Sequence, residues 1–233
     1  MLKSFFLNLL FPVECLGCRR EGAWLCAACF KKLKFGPAKK KYNLIIPNLD
    51  KIFIAGDYDD PLLAAAIKKF KYNFITALGS ILARFLILFW SGQNFLNEEL
   101  TGAAAENSST AINTGHNLIS PLVIPLPLSK KRLRWRGFNQ AEILARELSA
   151  HFSYDLNLDL KRVKHKKPQA ELNEAQRRNN IRGVFTWTGA DLSGRTIILI
   201  DDVVTTGATL NEAAGILKAA GAEKVYGLVL AKG

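Results

Sequence analysis

Two adjacent carboxylates, Asp201 and Asp202, stand between an apolar run and a loop of small and hydroxyl-bearing side chains. The run Thr-Ile-Ile-Leu-Ile at 196–200 is rich in β-branched residues, which is typical of a strand buried on both faces of a parallel sheet. Open α/β sheets bind their ligands at the carboxyl ends of such strands. The loop continues with Val203, Val204, Thr205, Thr206, Gly207, Ala208 and Thr209. We therefore predict a ligand site directly after this strand.

The loop has the features of a phosphate cradle, because it leads into a predicted helix over residues 210–220. Backbone N–H groups and the positive end of a helix dipole converge on anions at such a position. The hydroxyls of Thr205, Thr206 and Thr209 can add donors. Carboxylates would repel a bare phosphate, but they suit a ligand that also carries sugar hydroxyls or a divalent cation. A ribose 5-phosphate meets that description.

The segment Ile-Leu-Ile-Asp-Asp-Val-Val-Thr-Thr-Gly-Ala-Thr at 198–209 resembles the 5-phosphoribosyl-1-pyrophosphate motif of type I phosphoribosyltransferases. The resemblance implies that residues 201–209 bind this ligand. It also implies that Asp201 and Asp202 engage the ribose hydroxyls or a Mg²⁺ ion held through the ligand. The alternative is a generic α/β domain whose acidic strand end is a helix cap or another kind of metal site.

A basic segment, Lys-Lys-Arg-Leu-Arg-Trp-Arg at 130–136, follows a predicted strand at 122–128 and is interpreted as a basic turn before a helix over residues 139–151. With Gly-Phe-Asn-Gln at 137–140, Pro168-Gln169 and the Arg-Arg-Asn-Asn run at 177–180, it resembles the ComF family over nearly the whole chain. By analogy with amidophosphoribosyltransferases, this turn would meet the pyrophosphate and residues 164–182 would form a flexible closing loop. The candidate contacts are Arg132, Arg134, Arg136, Lys68 and Lys71. The alternative is a solvated basic face.

Four cysteines form two Cys-x-x-Cys pairs, Cys15 with Cys18 and Cys26 with Cys29, separated by seven residues. This spacing lets four thiolates surround one Zn²⁺ ion tetrahedrally. With no position left for water the ion would be structural, supplying folding energy that a small module cannot obtain from its core. Two disulfides or a redox-active pair are the alternatives.

The 233-residue chain can bury one full-sized core and a small appendage. Repeated β-loop-α units predict an α/β fold, a mostly parallel sheet flanked by helices like that of type I phosphoribosyltransferases. We expect a zinc-binding module over residues 1–35, the α/β domain over residues 45–233, and a flexible insert at 97–117. Asn8 and Pro12 interrupt the first apolar run, and Arg84 interrupts a predicted core helix at 75–90. We therefore expect no membrane span and a cytoplasmic protein.

The formal charge of +12 favours polyanionic partners. One hypothesis is a phosphoribosyltransferase of nucleotide metabolism, which transfers the pentosyl group and releases pyrophosphate by electrostatic stabilisation without a dedicated nucleophile. We assign no catalytic residue. The other is a non-catalytic competence protein that binds single-stranded DNA during DNA uptake, as the ComF resemblance implies, with Tyr72, Trp135 and Phe138 as stacking surfaces.

Overall fold

The computed structural model of the chain describes residues 12–36, 44–73, 75–93, 120–163 and 183–233. Five strands form one parallel sheet, and two shorter strands form a separate antiparallel hairpin. The strands in chain order are β1 (Lys51–Asp57), β2 (Leu122–Pro125), β3 (Asp155–Leu156), β4 (Leu160–Arg162), β5 (Phe185–Trp187), β6 (Thr196–Val204) and β7 (Lys224–Lys232). The sheet has the order β1-β7-β6-β2-β3, which confirms the predicted mostly parallel sheet.

The helices are α1 (Ala27–Phe30), α2 (Pro61–Tyr72), α3 (Ala77–Ser91), α4 (Lys130–Arg136), α5 (Gln140–Phe152) and α6 (Ala208–Ala219). Three of them, α2, α4 and α5, begin at side-chain caps of the kind that start helices. The Asp60 carboxylate accepts the N–H groups of Leu62 and Leu63 at the start of α2, and the Asn139 side chain accepts that of Ala141 at the start of α5. No helix within the described ranges is long and apolar enough to cross a membrane.

The core lies around β6 and β7, the two longest strands of the sheet. Residues 197–200 of β6 are fully buried, as expected of a strand covered on both faces. The α3 helix supplies Trp90, whose ring meets Phe53 of β1 edge to face at 5.0 Å. The sheet is therefore rigid beneath the carboxyl ends of its strands, where the predicted site lies.

The basic segment at 130–136 is a short helix, so the prediction of a turn is wrong. The Ser129 side chain caps its start by accepting the N–H of Arg132, and Gly137 ends it in the left-handed conformation at a φ of 75°. Lysine and arginine are good helix formers, and caps at both ends suffice to define two helical turns between them. The positive charges are therefore displayed around a helix rather than along an extended loop.

The cysteine-containing segment packs directly against the α/β domain. Phe35 stacks on Phe85 of α3 with ring centroids 4.8 Å apart, and the Gly36 N–H donates to the Ala55 carbonyl of β1 at 2.9 Å. Cys15 and Cys29 are buried in the same apolar cluster as the core of the larger domain. The division at residues 1–35 and 45–233 stays a prediction, and the insert predicted at 97–117 lies outside the described residues.

Candidate functional site

The predicted ligand site begins at a step in the sheet edge. Strand β2 ends with Pro125 opposite Ile200, whereas β6 continues to Val204 against β7. Asp201 and Asp202 therefore lie inside β6, which corrects the prediction that this strand ends at Ile200. Pairing with the long β7 extends the strand, because backbone groups on that side keep their partners. The two carboxylates stand where the shorter neighbour leaves β6 uncovered on its other side.

The two carboxyl groups differ in their surroundings. Asp202 is buried and forms an ion pair with Lys71, at the end of α2, with a distance of 2.8 Å from Nζ to Oδ1. Burial and the neighbouring Asp202 charge raise the pKa of Asp201 to about 7, although Lys71 and Arg132 oppose the shift. A carboxyl group that gives up its proton near neutral pH is typical of functional sites. One member of the pair is thus paired with a lysine, and the other exchanges its proton near neutral pH.

The loop after β6 forms a small cavity with the start of α6, lined by residues 201 and 203–210. Gly207 caps the helix at a φ of 76°, and a side chain there would lie 2.5 Å from Ile46, so only glycine fits without displacement. Thr205 and Thr206 are exposed residues of the lining, and the Thr206 hydroxyl accepts the N–H of Ala208, the first residue of α6, at 3.4 Å. The structure thus places Asp201 and residues 203–209 around one cavity, while Asp202 is not among its lining residues. Ligand binding by residues 201–209 stays a prediction, and a loop that leads into a helix in this way can bind an anion.

The three candidate arginines of α4 occupy different positions. Arg132 is exposed and lies close enough to Asp201 to lower the pKa of that carboxyl group. Arg134 is exposed. Arg136 is buried and donates from Nη1 to Oε1 of Gln140 at 2.8 Å. The sequence predicts one basic cluster, and of the three arginines described here Arg132 is the one whose charge acts on Asp201.

An aromatic pair covers the buried Arg136. Its guanidinium lies 5.2 Å from the ring centroid of Tyr72 and 5.9 Å from that of Trp135, and the two rings are 5.9 Å apart. Tyr72 is 50% exposed and Trp135 is 55% exposed, so both rings border solvent. Phe138, the third stacking candidate, packs against Phe70 instead. We call Tyr72, Trp135 and Arg136 the aromatic cluster.

The two candidate lysines lie one helical turn apart on α2. Lys71 pairs with Asp202, as described above. Lys68 is exposed and its ammonium group lies 5.9 Å from the ring centroid of Tyr58, which follows β1. Both therefore stand near carboxyl ends of parallel strands, and Lys71 is the one that contacts the carboxylate pair.

The four cysteine sulfurs of Cys15, Cys18, Cys26 and Cys29 lie within 4.8 Å of one another, and all are free thiols. The distance from Cys18 Sγ to Cys26 Sγ is 3.7 Å. A tetrahedral ion with Zn–S bonds of about 2.3 Å requires roughly 3.8 Å between sulfurs. The cluster thus has the spacing that such a metal requires, and disulfide pairing is not present.

The backbone of the cysteine pairs is arranged around the sulfurs. Burial raises the pKa of Cys15, but N–H groups of Cys26, Cys18 and Gly17 outweigh it and lower the value to about 6. Burial and the neighbouring sulfurs raise the pKa of Cys29 to about 12. Four sulfurs this close cannot all be thiolates without a cation between them, which is the situation that a metal ion resolves.

Arg162 and Glu212 are two charged residues near the site that the sequence does not single out. Arg162 ends β4, and Glu212 lies in the second turn of α6, where its carboxylate accepts the N–H of Val184. Burial and then the Arg132 charge lower the pKa of Arg162, although Glu212 and Asp201 oppose the shift. The basic residues that begin at Lys161 indicate a charged segment here. The pairing of β4 with β5, which fixes the position of Arg162, could not be predicted from the sequence. The closing loop predicted at 164–182 lies outside the described residues.

The fold and the site define a class of protein. Residues 135–233 match the family described as the phosphoribosyl transferase domain. That region includes the carboxylate pair, the loop at residues 205–209, which we call the phosphate-type loop, and the strands β6 and β7 that support them. The chain is thus a phosphoribosyltransferase-type α/β protein with a four-cysteine cluster near its start.

Relatives identify the family. The chain is 32% identical to Competence protein F of Haemophilus influenzae over 95% of this chain and 98% of that protein. It is 42% identical to Competence protein ComFC of Bacillus subtilis over 41% of this chain and 38% of that one. It is 29% identical to DNA utilization protein YhgH of Escherichia coli O157:H7 over 77% and 70% respectively. The chain belongs to the ComF family of competence proteins, as its motifs indicated.

Proposed function

We propose that the chain binds 5-phosphoribosyl-1-pyrophosphate at the carboxyl end of β6. The observation that carries the proposal is the step at Asp201 and Asp202, which places two carboxylates beside a cradle for a phosphate. The 5′-phosphate would accept N–H and hydroxyl groups of residues 205–209. The carboxylates would accept the ribose hydroxyls, which are donors of the right kind at the right end of the ligand.

Mg²⁺ fits this proposal as a partner of the ligand. The available donors are carboxylate oxygens, which magnesium prefers, and it commonly binds through few protein groups together with substrate phosphates. Asp202 is already paired with Lys71. The residues therefore fit an ion bound mainly by the diphosphate, with Asp201 and Asp202 contacting it through the ligand. When bound, magnesium would neutralise charge on the diphosphate.

The same arrangement supports transfer of the phosphoribosyl group. In that reaction the bond from the ribose C1 to the diphosphate oxygen breaks, and its electron pair leaves with pyrophosphate. A nucleophilic nitrogen of the acceptor forms the new bond to C1 and gives up its proton to solvent. The two carboxylates would stabilise the positive charge that grows on the sugar. The exposed arginines of α4, the helix that follows β2, would stabilise the departing pyrophosphate. A screen for pyrophosphate release with nucleobases, ammonia and single-stranded DNA as acceptors would test for turnover.

Isothermal titration with Mg²⁺ present tests the binding proposal. We expect Asp201→Asn to weaken binding of phosphoribosyl pyrophosphate roughly tenfold or more, because a hydrogen bond to a charged group contributes about 1.5–3 kcal/mol. Asp191→Asn is the control, since Asp191 is an exposed carboxylate in the segment before β6 begins. Wild-type protein that binds the ligand no better than it binds free pyrophosphate would refute the proposal.

We also propose that the four cysteines bind one structural Zn²⁺ ion. The sulfur spacing supports it, and so does the small size of the segment, which has few apolar residues of its own to bury. The ion would hold the two Cys-x-x-Cys turns together against α2 and α3.

Binding of single-stranded DNA is a second candidate function, and the aromatic cluster is the observation that favours it. Two half-exposed rings stacked over an arginine, beside the exposed Arg132 and Arg134, combine the stacking and charge that unpaired bases and phosphates require. The names of the relatives from Bacillus subtilis and Escherichia coli refer to competence and to DNA utilization. The cluster would hold bases while the arginines contact the backbone.

Fluorescence anisotropy with a labelled oligothymidine tests this second function. Trp135→Ala should weaken binding by about 1–3 kcal/mol, since each stacked base contributes roughly that much. Affinity should also fall steeply with salt. Phe152→Ala is a control for loss of an aromatic ring, because Phe152 stacks on Tyr154 at the far end of α5. Equal weakening by both substitutions would remove the support for a stacking site.

A further inference from the structure

The β4–β5 hairpin carries a charged side chain to the candidate site from outside the phosphoribosyl motif. In this hairpin Arg162 pairs with Phe185, and its guanidinium lies 5.4 Å from the centroid of that ring. Phe185 is buried, so the ring is a fixed support for the arginine. The guanidinium is thus held by packing, which lowers the entropy lost when it binds a ligand.

The hairpin is fastened to the helix that follows the phosphate-type loop. The Val184 N–H donates to Oε1 of Glu212 in α6, and the Val163 N–H donates to the Val184 carbonyl at 2.8 Å. The second carboxylate oxygen of Glu212 is buried and finds no hydrogen-bond partner within the described ranges. The backbone around Arg162 is therefore held beside α6, on a different element from the exposed arginines of α4.

Arg132 and Arg162 bring like charges toward the same carboxyl edge. Each is close enough to Asp201 to interact with it, and the two arginines repel each other. In the part of the chain that the structure describes, neither arginine has a carboxylate at ion-pair distance. Asp202 is already paired with Lys71. Two guanidinium groups converging from separate elements are stabilised when a polyvalent anion lies between them.

We propose that Arg162 binds the diphosphate of the ligand, opposite Arg132, and so distinguishes phosphoribosyl pyrophosphate from ribose 5-phosphate. This inference rests on the proposed function, and it adds a specificity residue that lies outside the 201–209 loop. The planar guanidinium matches a diphosphate because it can donate two parallel N–H groups to phosphate oxygens. The 5′-phosphate, bound at residues 205–209, would not depend on it.

Titration of the full chain with two ligands, in the presence of Mg²⁺, tests the assignment. Arg162→Ala should weaken binding of phosphoribosyl pyrophosphate roughly tenfold to a hundredfold and leave that of ribose 5-phosphate within about twofold. Arg162→Lys keeps the charge but loses the fork, so it should fall between the two. Lys161→Ala is the matched control, because Lys161 precedes Arg162 on β4 and its ammonium group donates to the Leu158 carbonyl instead.

The outcomes separate this inference from the proposal on which it depends. If wild-type protein binds phosphoribosyl pyrophosphate and Arg162→Ala binds it equally well, Arg162 has no role in binding. Equal weakening for both ligands would also overturn the assignment, because it would indicate damage to the loop or the fold. Thermal unfolding of each variant identifies such damage, and Arg162→Lys retains the fold if Arg162→Ala does not. Failure of the wild type to bind the diphosphate ligand would overturn both proposals.

Discussion

Replacing Asp201 with asparagine should make the protein more stable while it removes ligand affinity. The folded protein raises the pKa of Asp201 from 3.8 to about 7, mainly through burial and then through the Asp202 charge. A group that holds its proton more tightly when folded stabilises the fold at low pH, and this contribution is lost as the pH rises toward 7. Above pH 7 the folded protein carries a desolvated charge that asparagine does not have.

The size of the effect follows from the shift. About three pKa units correspond to roughly 4 kcal/mol of unfolding free energy. Asparagine must still be desolvated, so the net gain expected for Asp201→Asn at pH 8 is ~1–3 kcal/mol. The gain should shrink as the pH falls from 7 toward 4, because wild-type Asp201 then takes up a proton on folding. Over that interval the stability difference between the two proteins should change by up to ~1.4 kcal/mol per pH unit.

Urea unfolding of both proteins between pH 5 and pH 8, followed by circular dichroism, measures the difference. Asp202→Asn is the control with the opposite sign. It leaves the Lys71 ammonium group, which is 13% exposed, without its partner, and should cost ~1–3 kcal/mol. If Asp201→Asn is destabilising at pH 8, or if its effect does not vary with pH, Asp201 titrates as an ordinary surface carboxyl group and the reasoning is wrong.

Two further substitutions test the loop and the metal cluster. Gly207→Ala should lower the unfolding free energy, measured in urea, by more than Gly137→Ala does. Both glycines have a φ near 75°, and the strain of that φ alone costs an alanine roughly 1–2 kcal/mol, but only at Gly207 would the methyl group lie 2.5 Å from Ile46. Equal effects of the two substitutions would show that this contact is harmless. Cys26→Ser should reduce the zinc content of purified protein below the one ion per chain expected of the wild type, as metal analysis measures, and wild-type protein without zinc would contradict the metal proposal.

Local sequence was sufficient where a function depends on neighbouring residues. The two cysteine pairs are local motifs, and the structure brings their four sulfurs together. The loop at 201–209 is likewise contiguous, and Asp201 and residues 203–209 line one cavity, while the ligand predicted for it stays a prediction. The β6 strand was predicted too short, because its last four residues are held by pairing with β7 rather than by their own apolar character. The hydrophobic pattern of one strand does not indicate how long its partner strand is.

Contacts between distant segments were not predictable from one sequence. Lys71 and Asp202 are 131 positions apart in the sequence. The α2 sequence does not distinguish Lys71, which contacts Asp202, from Lys68, which lies near Tyr58, because the difference depends on where the helix ends relative to β6. Arg136 belongs to a run of charges that is typical of an exposed face, yet the Tyr72 and Trp135 rings bury it. In each case part of the environment of the charge comes from another element: β6 supplies Asp202 to Lys71, and α2 supplies Tyr72 to Arg136.

The site combines two features that disfavour the folded state by themselves. Asp201 is held where its charge is poorly solvated, and the Nε atom of Arg136 is buried without a hydrogen-bond partner in the described part of the chain. Such costs are tolerated only where surrounding structure fixes them. Here the fully buried residues 197–200 and their pairing with β7 supply that support. A ligand that brings a cation near Asp201 would relieve the first of these costs, so binding should stabilise the protein most strongly at this edge of the sheet.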